Sequence, residues 1–206
     1  MVSGRPVAFL RRALALDGLV YAGVHGFERE VGGTVVVDPR VEPWTAALAE
    51  LADEAEARFP GARVERKGRV AVAFHWREAP GLGAELARWA EQAIASRGLH
   101  RRPGRMVVEA LPPAPVDKGT TVADLAAGAR YAAFAGDDAG DVVAFGALRA
   151  LVASGALAGA VTIGVRSVES PPGVLGADVV VDGPAGLAAL FGALADAVTR
   201  RARGGP

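Results

Sequence analysis

The second half of the sequence alternates short apolar segments with longer helical ones, and this alternation limits the fold more than any other feature. We predict helices over residues 121–130, 142–153 and 185–201, and strands over residues 131–135, 160–165 and 179–181. Apolar strands that alternate with helices are typical of a parallel sheet covered by helices on both faces. The sequence therefore predicts an α/β fold built on a parallel sheet.

The first half of the sequence is less regular and ends in three prolines, at residues 112, 113 and 115. Within residues 18–26 we predict a short buried strand that runs into a glycine turn, and we predict another strand over residues 106–111. Helices are predicted over residues 44–59 and 85–96, and one bent strand or two strands over residues 64–76. The prolines stop the last of these strands, because proline has no backbone N–H to donate. Residues 200–206 are expected to form a frayed tail.

Composition argues against several classes of protein. The 206 residues include 23 positive and 23 negative side chains, a balance that does not suit a protein coating nucleic acid or an anionic membrane. The absence of cysteine excludes a disulfide scaffold and thiolate metal sites, and it fits a reducing cytosol. Neither a membrane span nor a secretory signal is visible. We expect a cytoplasmic monomer that binds neither nucleic acid nor a membrane.

Three carboxylates lie close together directly after a predicted strand. Asp137, Asp138 and Asp141 follow residues 131–135, at the carboxyl end of a strand, where open α/β sheets bind ligands. Neighbouring carboxylates repel one another unless a cation lies among them, and oxygen ligands without histidine or cysteine suit Mg²⁺. The alternative is an acidic loop whose aspartate caps the next helix. We favour the metal site, because three carboxylates exceed what capping needs.

Lysine is rare in this sequence, with 2 lysines against 21 arginines. Arginine therefore fills the ordinary surface positions. Lys67 and Lys118 are candidates for positions that need a compact ammonium charge, as at a phosphate group. Lys118 also precedes a predicted helix, where backbone N–H groups attract anions. The alternative is that either lysine is an ordinary surface residue.

Ser3 and two histidines are more ambiguous candidates. Ser3 precedes Gly4, and a hydroxyl beside a glycine turn can hold a phosphate oxygen, although an ordinary turn explains the same residues. The histidines of the chain are too scattered for the spacing of a metal site. For His25 and His75 we expect a structural role or a contact with substrate.

Taken in order, these segments resemble the motifs of trehalose 6-phosphate phosphatases of the haloacid dehalogenase superfamily. Residues 2–6 (VSGRP) look like the second motif of that family, and residues 19–28 (LVYAGVHGFE) look like the segment that follows it. Residues 64–77 are similar to the cap signature VE-x-K…H-Y-R, residues 108–119 to the third motif region, and residues 136–145 to the fourth motif. The resemblance covers almost the whole chain.

The resemblance implies a Rossmann-like parallel-sheet core, incomplete at its amino terminus, with an inserted α/β cap domain. The core would comprise residues 1–28 and 114–206, and the cap would comprise residues 29–113. The implied activity is the Mg²⁺-dependent hydrolysis of trehalose 6-phosphate to trehalose and phosphate, in trehalose biosynthesis. The implied partner is a small sugar phosphate.

Matching positions assign roles to individual residues. Ser3 and Lys118 would be catalytic residues that hold phosphate oxygens. Asp137 would ligate Mg²⁺, with Asp138 and Asp141 in support. The residues that bind the sugar would be Arg5, Glu65, Lys67, Arg77 and Glu109.

One motif of the family has no counterpart in these 206 residues. The motif D-x-D-G-T carries the aspartate nucleophile and the aspartate that protonates the leaving group, and the covalent step has no nucleophile without it. We therefore expect that the chain as given lacks an amino-terminal part and is inactive by itself. Two alternatives stay open: a phosphatase of another sugar phosphate in the same superfamily, and a non-catalytic paralogue that binds a sugar phosphate or a partner protein.

Overall fold

The computed structural model describes residues 1–168, 170 and 172–203, which form two compact units. The first unit is Met1–Val116, and the second begins at Asp117. The predicted division has a boundary close to this one, but it assigns residues 1–28 to the core together with residues 114–206. That division, with a cap of residues 29–113, stays a prediction.

The chain begins with a short helix and a small antiparallel sheet. These elements are α1 (Val7–Leu14), β1 (Ala22–Gly23), β2 (Glu28–Val31) and β3 (Thr34–Val37), with the strands in the order β1-β2-β3. Within residues 18–26 the structure has the short strand β1 followed by a turn, as predicted, and the turn is a 3-10 turn over Val24–Gly26 in which Val24 and His25 have φ values of 44° and 62°. In this turn, the N–H of Val24 donates to the carbonyl of Arg5, and the N–H of His25 donates to that of Ser3.

A four-stranded antiparallel sheet and two helices form the rest of the first unit. They are α2 (Thr45–Arg58), β4 (Arg63–Lys67), β5 (Ala71–His75), α3 (Gly83–Ser96), β6 (His100–Gly104) and β7 (Val107–Leu111), with the strands in the order β4-β5-β7-β6. The segment predicted over residues 64–76 is two strands, because the chain turns at Gly68 with a φ of 58°. One face of the sheet belongs to a core shared with α2 and α3, which includes Leu48, Leu51, Phe59, Val72, Phe74, Leu86, Trp89, Ile94 and Val108.

The second unit contains a parallel sheet, as predicted. Its elements are α4 (Lys118–Leu125), β8 (Tyr131–Gly136), α5 (Ala139–Ala153), β9 (Gly159–Arg166), α6 (Pro172–Leu175), β10 (Val179–Asp182) and α7 (Gly183–Arg203). The three strands lie in the order β10-β9-β8, and both pairs are parallel. The mixed α/β fold class is therefore confirmed.

Two element boundaries in the second unit differ from the predictions. The helix predicted over residues 121–130 is α4, which lies earlier in the sequence. It begins at Lys118 because Asp117 caps its first turn by accepting a hydrogen bond from the N–H of Thr120, and it ends at Leu125. Residues 200–203 of the predicted tail belong to α7, and residues 204–206 lie outside the described residues. None of the helices described is long and apolar enough to cross a membrane.

Candidate functional site

The four-stranded sheet of the first unit has an apolar face and a polar face. Val64 of β4 packs against the core that the sheet shares with its two helices. Side chains of a strand alternate between the two faces, so Arg63, Glu65 and Lys67 project from the opposite face. Two residues predicted to bind a sugar, Glu65 and Lys67, therefore lie on one side of the same strand.

Strand pairing adds a third predicted residue to this polar face. Glu65 of β4 lies opposite Ala73 of β5, which in turn lies opposite Glu109 of β7. Paired residues of an antiparallel sheet project from the same face. The small side chain of Ala73 stands between the two glutamates, and all three belong to one row across the sheet.

Lys67, Glu109 and His25 form a buried charged cluster on this face. The ammonium of Lys67 donates to Glu109 at 2.5 Å and to the carbonyl of Gly4 at 3.0 Å, and His25 Nε2 lies 3.0 Å from the other Glu109 oxygen. All three side chains belong to residues that are less than 9% exposed. Lys67 is therefore not an ordinary surface lysine.

Electrostatics fix the protonation states in this cluster. Burial by itself would raise the pKa of Glu109, but the hydrogen bond from His25 and the charge of Lys67 outweigh it and lower that pKa to about 2. Burial also lowers the pKa of His25 below its ordinary value. An ionised carboxylate can only accept, so the neutral His25 ring carries its proton on Nε2 and donates to Glu109.

Glu65 contacts two arginines and a histidine. Its carboxylate accepts hydrogen bonds from Arg5 at 3.2 Å and from His75 Nε2 at 2.8 Å, and it lies 3.6 Å from the guanidinium of Arg63. Burial would raise the pKa of Glu65, but the hydrogen bond from His75 and the charges of Lys67 and Arg5 lower it. Glu65 therefore stays ionised and orients the side chains around it.

Ser3 and Arg77 have looser surroundings than these clusters. The Ser3 hydroxyl accepts a hydrogen bond from the backbone N–H of Arg5 at 3.2 Å, as expected for a serine in an ordinary turn. Its role at a phosphate stays a prediction. Arg77 follows β5, is exposed, and lines a cavity together with Arg5.

The second unit contains the remaining predicted residues, which we call the lysine–aspartate group: Lys118, Asp137, Asp138 and Asp141. Lys118 is 6% exposed, and its ammonium donates to Asp138 at 3.0 Å and to Asp141 at 2.7 Å. Burial would lower the pKa of this ammonium, but the two carboxylates outweigh it and raise the pKa. The surface interpretation of Lys118 is therefore wrong as well.

Helix capping accounts for many of the hydrogen bonds in this group. Asp138 caps α5 by accepting from the N–H of Asp141, while Asp141 accepts from the backbone N–H groups of Asp137 and Asp138. A Cβ atom added at Gly136 would lie 2.2 Å from the Cβ of Asp141, so only glycine fits there. The loop is thus held in a conformation that leaves the Asp137 side chain exposed.

The carboxylates of the lysine–aspartate group fit the predicted Mg²⁺ site in part. Among the described residues, no three His, Cys, Asp or Glu side chains are arranged to hold a metal ion. Mg²⁺, however, needs only one or two carboxylates, with water and phosphate oxygens completing its shell. Asp137 fits as such a ligand, because its side chain is exposed and Asp141 fixes the backbone that carries it. For Asp138 and Asp141 the direct metal role stays a prediction.

Sequence reasoning missed several participants or left their role undecided. Arg63 and Arg105 line the same cavity as Arg77 and were not candidates. His25 and His75, whose role was ambiguous, each contact a predicted sugar-binding glutamate. The two-residue period of β4 was a usable signal for Arg63, because it shares a face with Glu65.

Comparison with known proteins shows that this chain is similar to members of one family. The family model described as trehalose-phosphatase matches residues 1–172. The chain is 36% identical over 130 residues to the trehalose-phosphate phosphatase of Mycobacterium tuberculosis, a match that covers 59% of this chain and 32% of that protein. It is 33% identical over 168 residues to an uncharacterized glycosyl hydrolase of the same organism, covering 72% of this chain and 12% of that protein.

A solved structure gives a similar result for the fold. The crystal structure of a trehalose-6-phosphate phosphatase related protein superimposes with a TM-score of 0.71 and 25% identity, covering 88% of this chain and 73% of that chain. The chain thus spans most of this structure, but only about a third or less of the two curated relatives.

Proposed function

Because the chain belongs to the trehalose-phosphatase family, we propose that it serves the Mg²⁺-dependent hydrolysis of trehalose 6-phosphate to trehalose and phosphate, in trehalose biosynthesis. The observation that carries the proposal is the match over residues 1–172, which takes in both the polar sheet face and the lysine–aspartate group. A cytoplasmic location and a monomeric state are part of the proposal as expectations from the sequence.

The polar sheet face supplies the groups that a disaccharide needs. Sugar hydroxyls both donate and accept, and charged partners make the stronger hydrogen bonds. Glu65 and Glu109 are ionised acceptors held in place by their neighbours, and Lys67 is a donor fixed beside Glu109. We assign these three residues, together with Arg5 and Arg77, to the sugar.

The lysine–aspartate group is assigned to the phosphoryl group. Lys118 supplies a compact, permanently charged donor for phosphate oxygens, and Ser3 is assigned to the same task. Asp137 would hold Mg²⁺, and Asp138 and Asp141 would keep the loop and Lys118 in position. When bound, Mg²⁺ would supply positive charge to the phosphoryl oxygens. In this proposal Lys118 and Mg²⁺ would contact the phosphate oxygens and orient the phosphate.

No residue of this chain is assigned as the nucleophile, because the sequence has no D-x-D-G-T motif. The proposal of activity therefore includes the prediction that this motif is encoded upstream of Met1. The competing proposal is a protein that binds a sugar phosphate without hydrolysing it. It is favoured by one observation, the absence of the D-x-D-G-T motif from the sequence.

The deciding experiment uses the protein purified from its natural source. Mass spectrometry determines its amino terminus, and phosphate release is measured from trehalose 6-phosphate with Mg²⁺ or with EDTA. We expect an amino terminus that extends beyond Met1, Mg²⁺-dependent release, and a preference over sucrose and glucosylglycerate phosphates. Preference for another ester would refute the substrate. Binding without release, from a chain starting at Met1, would favour the non-catalytic protein.

A variant pair tests the role of the lysine–aspartate group in the same protein. Lys118→Gln removes the ammonium, and we expect activity to fall by a factor of about 100 or more, because a charged donor to phosphate is lost. Arg88→Gln is the matched control, since Arg88 is an exposed cation of α3. Equal activities of the two variants would contradict the assignment of Lys118.

A further inference from the structure

Glu28 is a buried carboxylate that has no part in the proposed function. It is 7% exposed and is the first residue of β2, where it lies between Gly23 of β1 and Val37 of β3. Burial raises the pKa of Glu28, and a hydrogen bond from the backbone of Val7 offsets only part of that rise. Burying a carboxyl group costs free energy, so the one contact that this group makes with Val7 calls for a physical explanation.

That contact is with the first residue of α1. The N–H of Val7 donates to Glu28 Oε2 at 2.7 Å, and Val7 is itself fully buried. The N–H groups of a first helical turn need acceptors from outside the helix. Helix α1 has no side-chain cap of its own, because its N-cap residue is Pro6, whose side chain has no acceptor. Glu28 supplies the missing acceptor from β2, 21 residues along the sequence.

The turn that precedes α1, residues 3–6, is held by the chain segment just before β2. The N–H of Val24 donates to the carbonyl of Arg5 at 3.0 Å. Gly23 approaches the turn so closely that an added Cβ would lie 2.5 Å from the Val7 nitrogen and 2.8 Å from the Arg5 oxygen. The end of the turn and the start of α1 are therefore packed directly on the backbone of β1.

Ser3 and Arg5, which the proposed function assigns to phosphate and sugar, both belong to this turn. They are linked within it, because the Ser3 hydroxyl accepts a hydrogen bond from the N–H of Arg5 at 3.2 Å. Without the Glu28 acceptor, the Val7 N–H would be buried and unpaired, a state that folded proteins avoid. The start of α1 would shift until this N–H reached water, and the turn would move with it.

A second carboxylate on β2 holds the opposite end of α1. Side chains two residues apart on a strand project from the same face, and Glu30, like Glu28, points at α1. Glu30 accepts a hydrogen bond from Arg11 at 2.6 Å, and Arg11 lies in the last turn of the helix. Glu30 therefore attaches the end of α1 that is far from the turn, whereas Glu28 attaches the end that adjoins it.

We propose that Glu28 is a positioning residue: by capping α1 from β2, it fixes the turn that presents Ser3 and Arg5 to the substrate. The inference rests on the proposed function, because it gives Glu28 a role in the same site. Glu28 contacts no substrate itself and acts through Val7. The turn needs its acceptor oxygen, so glutamine should replace it and an apolar side chain should not.

Amide hydrogen exchange, followed by NMR on the 206-residue chain, tests the placement of the turn without any contribution from catalysis. In Glu28→Met we expect exchange of the Val7 amide to speed up by a factor of about 10 or more, because its acceptor is lost. In Glu28→Gln the rate should stay within a factor of about three of wild type. Unchanged exchange in Glu28→Met, or an equal increase in the amides of β5, would overturn the proposal.

Glu30→Met is the matched control, because it removes a carboxylate from the same face of β2 and loosens the same helix. It should speed up exchange in residues 11–14 and leave the Val7 amide protected. The NMR signals of residues 3–6 should shift in Glu28→Met and not in Glu30→Met. Equal effects of the two variants on the turn would contradict a specific role of Glu28.

Kinetics of trehalose 6-phosphate hydrolysis test the consequence for the site, with the same variants made in the catalytically complete protein. We expect kcat/KM to fall by a factor of about 10 or more in Glu28→Met, mainly through KM, because the displaced groups bind substrate. Glu28→Gln and Glu30→Met should stay close to wild type. A fall in kcat at unchanged KM would mean only that less of the enzyme is folded, and the proposal would fall.

The two measurements separate this inference from the proposed function. If the wild-type protein releases no phosphate from trehalose 6-phosphate, the proposed function fails, and exchange at Val7 alone decides whether Glu28 positions the turn. If the wild type is active and Glu28→Met has wild-type exchange and kinetics, the proposed function stands and the role of Glu28 is refuted.

Discussion

Replacing Glu109 by glutamine tests the Lys67–Glu109 pair of the first unit, whose two side chains are both buried. The pKa of Glu109 falls from 4.5 to about 2, and one pKa unit corresponds to about 1.4 kcal/mol. The ionised carboxylate therefore contributes about 3 kcal/mol to the stability of the folded unit. Glu109→Gln also leaves the buried Lys67 ammonium without a negative partner, because the glutamine amide oxygen and the Gly4 carbonyl are neutral acceptors. Because breaking a buried pair costs about 3–5 kcal/mol, we expect a loss of that size at neutral pH.

The position of the tryptophans makes the assay specific. All 3 tryptophans of the chain, Trp44, Trp76 and Trp89, belong to the first unit, so their fluorescence during urea unfolding reports that unit. Glu50→Gln is the matched control, because Glu50 lies exposed on α2. Surface substitutions of this kind change stability by about 0.5 kcal/mol or less.

The pH dependence separates the charge of Glu109 from its shape. Its folded pKa lies below its unfolded pKa, so the contribution is complete above pH 4.5 and is lost as the pH falls toward about 2. The difference in stability between wild type and Glu109→Gln must therefore shrink over this range, since the protonated wild-type side chain resembles glutamine. A difference that is as large at the acidic end as at neutral pH would refute the electrostatic account. Lys67→Met added to Glu109→Gln should recover part of the loss, because no buried charge is then left alone.

Three further substitutions test separate features of the fold. Gly136→Ala places a methyl group against Asp141, and we expect the free energy of unfolding, followed by circular dichroism, to fall by about 1–3 kcal/mol. The control is Gly146→Ala, which has open space around it and should stabilise α5. Asp117→Ala removes the cap of α4 and should cost about 1 kcal/mol in the same assay; no change would mean that the capping box is unimportant. Phe74→Ala empties a fully buried position and should cost about 3–5 kcal/mol by tryptophan fluorescence, and a loss below 1 kcal/mol would contradict the packing.

Hydrophobic pattern was sufficient where strands are continuously apolar. The predicted strands 131–135 and 160–165 lie within β8 and β9, because apolar strands of a parallel sheet give a strong signal. Strand β6 was missed for the opposite reason, since His100–Gly104 contains two arginines, a proline and a glycine and lies at the edge of its sheet. An edge strand with a solvated face carries little hydrophobic pattern.

The turn around His25 shows what local sequence cannot reveal. The sequence predicted a short strand running into a glycine turn within residues 18–26, but not that Val24 and His25, which are not glycines, would adopt left-handed conformations there. Backbone hydrogen bonds to Arg5 and Ser3 hold that turn, and these partners are about twenty residues away in the sequence. Tertiary contacts outweigh local propensity here.

The candidate site was predictable residue by residue but not as an arrangement. Glu65, Lys67 and Glu109 were identified separately from motifs, whereas their common face follows from the register that puts Glu65, Ala73 and Glu109 in one row. Register depends on pairing between distant strands, and a shift by one residue would turn every side chain to the other face. The cavity lined by Arg63, Arg77 and Arg105 escaped prediction for this reason, since Arg63 and Arg105 are about forty residues apart in the sequence.

The scarcity of lysine was the most informative compositional signal, and the structure gives it a physical explanation. Both lysines are buried, and each ammonium has a carboxylate and a second acceptor within hydrogen-bonding distance: Glu109 and the Gly4 carbonyl for Lys67, and Asp138 and Asp141 for Lys118. An ammonium group directs three donors from one small atom, whereas a guanidinium is wide, planar and rigid. Arginine serves elsewhere because exposed positions tolerate the larger group. In this chain, lysine therefore occupies the buried positions where the space for a cation is limited, and charge alone does not decide between lysine and arginine.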